Sequence, residues 1–163
     1  MLKKVILKDI FEAEEKHIAF NINTEGYNDE CFAADVAKRY WPEIEKSGKN
    51  KLGEVIPKKV GDKTYYAIVC YSLNDEWKNT RETIKECFDK IETNGEPIAT
   101  IPIGTSYPDR LTHANFREIL QGMQDSKQHI VIYSNKKHHE LNKLLEEDGQ
   151  KTKPLINKPT NLS

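Results

Sequence analysis

The chain has 163 residues, enough for one domain and too few for two of ordinary size. Its 25 Lys and Arg nearly cancel its 26 Asp and Glu, leaving a formal net charge of -1. That balance argues against a dedicated nucleic-acid binder, which carries a basic excess. The longest apolar run, about Tyr65 to Tyr71, is too short to cross a bilayer, so no membrane partner is expected.

The first residues, Met1-Leu2-Lys3-Lys4-Val5-Ile6, lack the apolar stretch and cleavage site of a signal peptide. Val5 to Leu7 reads as a short strand and Ile18 to Asn21 as a second. A helix is expected from about Asp29 to Trp41, because Phe32, Ala33, Val36, Ala37 and Tyr40 recur at helical spacing. Asn28 would cap it and Pro42 would end it. Gly53 to Val60 and Lys63 to Tyr71 flank the turn Gly61-Asp62 and read as a hairpin, with Tyr65 to Cys70 dense enough for a central strand. A second helix follows. Asn79 and Glu82 have capping-box spacing, Ile84, Cys87, Phe88 and Ile91 trace one apolar face, and Gly95 closes it.

Pro97 to Ile103 reads as another strand, running into the loop Gly104 to Thr112. A third helix carries Phe116, Ile119, Leu120 and Met123 on one face. His129 to Tyr133 is the last strand, and Asn135 caps a final helix through Leu141, Leu144 and Leu145. Residues 1–149 thus form the domain, and 150–163 read as a disordered polar tail with two prolines and no period. Strands alternating with helices predict a mainly parallel sheet covered on both faces. Ligands of such sheets sit at the carboxyl ends of the strands, where Thr24 to Asn28 and Gly104 to Thr112 fall. Cys31, Cys70 and Cys87 have no disulfide or zinc spacing, so buried thiols in a reducing cytoplasm are expected.

An ordered set of segments resembles the macro domain, the fold that usually binds ADP-ribose. The set is Lys8-Asp9-Ile10, Ala19-Phe20-Asn21-Ile22-Asn23, Leu52-Gly53, the strand Tyr65 to Cys70, Ile101-Pro102-Ile103-Gly104 and Ile130-Val131-Ile132-Tyr133. The resemblance covers roughly residues 4 to 145 and implies a three-layer α-β-α fold with a mixed, mainly parallel central sheet. Thr80 to Phe88 and Asp109-Arg110-Leu111 look most like the branch that removes ADP-ribose from acidic side chains. The resemblance makes Asp109 the catalytic carboxylate and puts Asn23 near the distal ribose, positioning that sugar or a water. It gives Asp9 to the adenine amino group and Tyr133 to the adenine ring. Ile10, Gly26, Gly104, Thr105, Ser106, Tyr107 and Asn135 complete the ligand-binding set, with no metal and no cofactor.

The departures from the family pattern are specific. Asp29-Glu30-Cys31 stands where a Gly-x-Gly normally opens the first long helix, so two carboxylates would meet a diphosphate there. Ser106 and Asp109 stand where glycines are usual, and Pro108 has no N–H to donate. The branch's lysine after the central strand falls at about Cys70 and is missing. Two function classes follow. One is a protein that binds ADP-ribose or a related NAD-derived adenine nucleotide, with hydrolysis of an ADP-ribosyl bond as an extension. The other is a degenerate macro-like fold acting as a protein-interaction or inhibitor module.

Plainer readings stand beside each residue. Asp9 can simply end a strand, Tyr133 can pack, and Asn23 and Asp109 can make turns. Asp29 and Glu30 can serve the helix dipole rather than a metal. His138, His139, Lys136 and Lys137 read as a solvated surface. Trp41 reads as core, whereas Trp77 lies in the polar run Ser72 to Asn79 and either packs under the loop or covers a ligand or partner.

Overall fold

The computed structural model describes residues 1–25, 32–46, 50–72, 77–104 and 112–134. The expected final helix, the tail, and the first turn of the first helix with its Asn28 cap lie outside these residues. The elements are β1 (Leu2–Leu7), β2 (His17–Asn23), α1 (Phe32–Arg39), β3 (Val55–Val60), β4 (Lys63–Tyr71), α2 (Thr80–Asp89), β5 (Ile98–Thr100), α3 (His113–Asp125) and β6 (Ile130–Ser134). Short 3-10 helices span Ile10–Glu12 and Pro42–Lys46.

Six strands form one sheet in the order β1-β6-β5-β2-β4-β3. Every neighbouring pair is parallel except β3 and β4, the antiparallel hairpin. The sheet is mixed and mainly parallel, as the alternation of strands and helices requires.

Side-chain alternation makes the layers. Tyr66, Ile68 and Cys70 of β4 join Ile84, Cys87 and Phe88 of α2 and Phe116, Ile119 and Met123 of α3 in one core. Tyr65, Ala67 and Val69 point the other way, into a second core with Val36, Ala37 and Trp41. Strand β6 splits likewise, Ile130 and Ile132 to the first core and Val131 and Tyr133 to the second. A strand with apolar residues on both faces is what a sheet covered on both sides demands. Trp41 is core, as expected. Both edges carry charge: Lys3 and Lys4 lie on β1, and Pro57, Lys58 and Lys59 on β3. Lysine and proline at an edge discourage pairing with another chain.

Three expectations are corrected. Asn79 precedes α2 but makes no capping box. Its backbone is left-handed (φ 48°, ψ 42°) and its side chain makes no cap bond, whereas a capping side chain needs an extended backbone to reach the helix N–H groups. Gly95 does not close α2, which ends at Asp89. Gly95 (φ 86°) instead follows Asn94 (φ 54°) in the turn before β5. The strand expected over Pro97 to Ile103 shrinks to Ile98–Thr100, because Pro102 has no N–H for a central ladder.

The two helices on one face approach closely at Gly122 of α3. A Cβ there would lie 2.6 Å from the Arg81 carbonyl oxygen and 2.8 Å from Ile84 Cβ. Arg81 also clamps Asp125 across the pair, Nε to Oδ2 at 2.6 Å and Nη2 to Oδ1 at 3.3 Å.

Candidate functional site

Five parallel strands end on one edge of the sheet. Asp9 and Ile10 follow β1, Tyr133 and Ser134 close β6, Gly104 lies four residues past β5, Asn23 ends β2, and Tyr71 ends β4. Strands lie about 4.8 Å apart, so the edge spans about 14 Å from β1 to β2 and about 19 Å to β4.

At the β1 end, Asp9 is exposed and its Oδ1 accepts from the Phe11 N–H at 2.9 Å, capping the 3-10 helix. Ile10 is buried in the α1-side core. Phe11 packs on Phe32 with ring centroids 5.0 Å apart, and the Arg39 guanidinium lies 3.8 Å from the Phe11 centroid. Tyr133 is buried, and its ring belongs to the α1-side core. Its hydroxyl donates to Glu15 Oε1 at 2.7 Å. Burial, and then the Glu15 carboxylate, push this phenol well above its ordinary pKa. Lys63 Nζ fixes the segment carrying Glu15 by donating to the carbonyls of Ala13 and Glu15.

In the middle of the edge, Gly104 takes φ 90°, a backbone conformation that glycine adopts without strain. Thr100 Oγ1 is buried and donates to the Ala19 carbonyl at 2.9 Å, tying β5 to β2.

At the β2 end, Asn23 is only 2% exposed. Its Oδ1 accepts from the Glu25 N–H at 2.9 Å, the turn its residue type favours. Ser72 Oγ donates to Glu25 Oε2 at 2.9 Å. Trp77 stacks on Tyr71, centroids 4.8 Å apart and rings 17° from parallel, and packs against the α2/α3-side core. Cys70 is fully buried, and burial raises its thiol pKa well above normal. Cys87 is also buried and unpaired, its thiol pushed up to about 12 by burial.

The structure therefore brings Asp9, Ile10, Asn23, Gly104 and Tyr133 to one edge. Gly26, Thr105, Ser106, Tyr107, Asp109 and Asn135 lie outside the described residues, as do Asp29, Glu30 and Cys31. Sequence reasoning missed Glu25, Ser72 and Glu15. Glu25 and Ser72 are 47 positions apart, and Glu15 and Tyr133 are 118 apart, so no local pattern announces either contact. Among the described residues, no three His, Cys, Asp or Glu side chains converge as metal ligands would.

No protein-family model matches the chain, and no curated protein matches its sequence. Solved structures do match. The chain is similar to the Oceanobacillus iheyensis macrodomain, in a mutant solved with ADPR, at TM-score 0.61 and 15% identity, covering 87% of this chain and 92% of that one. It is similar to the macrodomain of Thermus aquaticus DarG at TM-score 0.58 and 12% identity, covering 80% and 97%. It is also similar to Alphavirus P23pro-zbd at TM-score 0.61 and 13% identity, covering 89% of this chain but spanning only 23% of that protein. The fold is that of the macrodomains, carried here by a sequence 12% and 15% identical to these two.

Proposed function

We propose that this chain, a macrodomain in fold, binds ADP-ribose or a related NAD-derived adenine nucleotide along the carboxyl edge of its sheet. The observation that carries the reading is the edge itself. A carboxylate at Asp9, a positive-φ glycine at Gly104 and the buried amide of Asn23 lie at the ends of β1, β5 and β2, three of the five parallel strands. An extended ligand with a base at one end and a sugar at the other suits a span of about 14–19 Å. Asp9 takes the adenine amino group, Tyr133 supports the base, and Gly104 with the loop after it (Thr105, Ser106, Tyr107) takes the phosphates. Asn23 and Gly26 lie toward the distal ribose, and Asn135 borders the base. Release of ADP-ribose from an acidic side chain is the extension of this reading, with Asp109 as its carboxylate. The buried free thiols support a reducing, cytoplasmic setting.

Calorimetric titration with ADP-ribose, ADP and AMP tests the binding. Heat and saturation with ADP-ribose are expected, and no binding of any of the three would refute it. For the extension, Asp109→Ala should abolish turnover of an ADP-ribosylated acidic peptide while leaving ADP-ribose bound. Slow turnover or none is expected of the wild type, because the branch's lysine, which would fall at about Cys70, is missing.

A second reading has its own support. Asp29-Glu30-Cys31 stands where the resemblance expects Gly-x-Gly, Tyr133 donates its hydroxyl to Glu15, and Asp9 accepts from the Phe11 N–H. These commitments favour a fold that has lost its nucleotide and now binds a protein. Failure of all three titrations would move this reading ahead.

A further inference from the structure

Asn94-Gly95 is the only Asn-Gly pair in the sequence, and both residues are exposed in the turn that leads into β5, at the amino edge of the sheet. Both backbones are left-handed, φ 54° and 86°, and the Glu96 N–H closes the turn on the Thr93 carbonyl at 3.1 Å. This is the type I′ form that Asn-Gly favours. Among the described residues no hydrogen bond holds the Asn94 amide, and a Cβ on Gly95 would meet nothing within 4 Å. Neither partner of a reaction between them is shielded.

An asparagine followed by glycine can cyclise. The Gly95 nitrogen, its proton lost to hydroxide, attacks Asn94 Cγ. The N–Cγ bond forms, the Cγ–Nδ2 bond breaks and ammonia leaves. Water then opens the cyclic imide at either carbonyl, giving aspartate or, with an extra methylene in the main chain, isoaspartate. Glycine permits this best, because no Cβ crowds its nitrogen. The closed turn forbids the attack. Its form sets Asn94 ψ at about 30°, which puts the Gly95 nitrogen nearly trans to Cβ and away from Cγ. Ring closure needs the Cα–C bond to rotate, and so the Glu96–Thr93 bond to open. Two anchors oppose that opening. Thr93 is buried, and its Oγ1 donates to Gln128 Oε1 at 3.0 Å. Glu96 is exposed. Its Oε1 accepts from His17 Nε2 at 3.0 Å, while Nδ1 of that ring meets the Tyr66 hydroxyl at 3.0 Å. Only the Glu96 anchor lies at the surface, so it is the one that yields.

We propose that Asn94 is a modification site, deamidated to aspartate and isoaspartate, and that the Glu96–His17 bond is the latch that sets its rate. The product holds the turn open. It adds a carboxylate to a stretch that already carries Glu92 and Glu96, and the isoaspartate lengthens the main chain between Thr93 and Glu96. This edge lies opposite the carboxyl one, so the assignment stands apart from the nucleotide reading.

Peptide mapping by mass spectrometry tests it, following the exchange of NH2 for OH at Asn94 while the full chain stands in mildly alkaline buffer. Asn94 of the folded wild type should convert measurably, but roughly tenfold or more slowly than in the chain unfolded in urea. Glu96→Ala should speed conversion of the folded protein roughly twofold to tenfold, the weight of one hydrogen bond, and leave the unfolded rate alone. Glu96→Gln keeps an oxygen for His17 Nε2 and should stay close to wild type. No conversion of Asn94 in the folded chain, where the unfolded chain converts, overturns the site. Equal folded and unfolded rates overturn the gating by the turn. A Glu96→Ala rate equal to wild type, or a Glu96→Gln rate equal to that of Glu96→Ala, overturns the latch.

Discussion

Asp9 has one visible role and one proposed role, and a single substitution separates them. Its Oδ1 caps the Ile10–Glu12 helix through the Phe11 N–H at 2.9 Å. The nucleotide reading asks the same carboxylate to accept a bond from an adenine amino group. Asp9→Ala removes both functions, so it should lower stability by about 0.5–2 kcal/mol for the cap and also weaken binding. Asp9→Asn is the sharper change. The amide oxygen can take over the cap, which leaves the NH2 group where the second carboxylate oxygen was. An NH2 facing the adenine NH2 is a donor against a donor. The loss of a charge-assisted bond then weakens ADP-ribose by about 1.5–3 kcal/mol, or roughly tenfold to a hundredfold. Stability should stay within about 0.5 kcal/mol of wild type, since surface changes that keep their bonds do little. Urea unfolding reads the first quantity and calorimetry the second. An Asn variant that is as stable as wild type and binds equally well would show that Asp9 only caps the helix.

Other expectations follow from the same contacts. Gly122→Ala puts a methyl group 2.6 Å from the Arg81 carbonyl oxygen and should destabilise the fold by about 1–3 kcal/mol in urea unfolding. An unchanged midpoint would mean that α2 and α3 separate without strain. Burial alone would raise the pKa of Asp89, but hydrogen bonds from Lys85, Ser126 Oγ and the Lys127 N–H outweigh it and hold the carboxyl below its ordinary value. The unfolded chain then binds the proton more readily. Asp89 therefore stabilises the fold above the ordinary carboxylate pKa, and this contribution fades as pH falls through the lowered one. Asp89→Asn should flatten that acid limb of the stability curve, and an unaltered limb would contradict the sign. The double change Asp29→Gly, Glu30→Ala should tighten ADP-ribose, more so at low salt, if the resemblance is right that these two carboxylates stand where a diphosphate would lie. Weaker binding by the double variant would mean that these carboxylates contact the ligand.

Much of the fold is legible in the sequence, because strands buried on both faces need apolar residues in unbroken runs. Tyr65 to Cys70 and Ile130 to Tyr133 are such runs, and both are central strands. The hairpin was readable from Gly61-Asp62, whose glycine takes φ 63°. Boundaries were less readable where two local rules compete. Ile98 to Ile103 is apolar throughout apart from Thr100 and Pro102, and apolarity alone extends the strand. The missing N–H of Pro102 ends the ladder first. Asn79 shows the same competition, because its spacing to Glu82 fits a capping box while its side chain also tolerates a left-handed backbone.

The candidate site divides along a different line. What depends on where strands end was legible, because parallel connection puts every carboxyl end on one edge whatever the side chains are. Asp9, Asn23, Gly104 and Tyr133 could be placed there from element order alone. What depends on a side chain's direction was not. One extra residue in β4 decides whether Ser72 faces Glu25, and a bulge has no composition signal in Val69-Cys70-Tyr71. Tyr133 is read as amphipathic from its strand, yet the oxygen that receives its hydroxyl belongs to Glu15, in a segment held by Lys63 of the hairpin. Such contacts join distant stretches of chain and exist only once the sheet has closed. The backbone of this edge is thus set by a topology shared with the macrodomain fold, while the directions of Asp9 and Asn23 are set by the bonds they make to Phe11 and Glu25. Substitutions at Glu15 or Ser72 should therefore rearrange side chains along the edge and leave the strand order as it is.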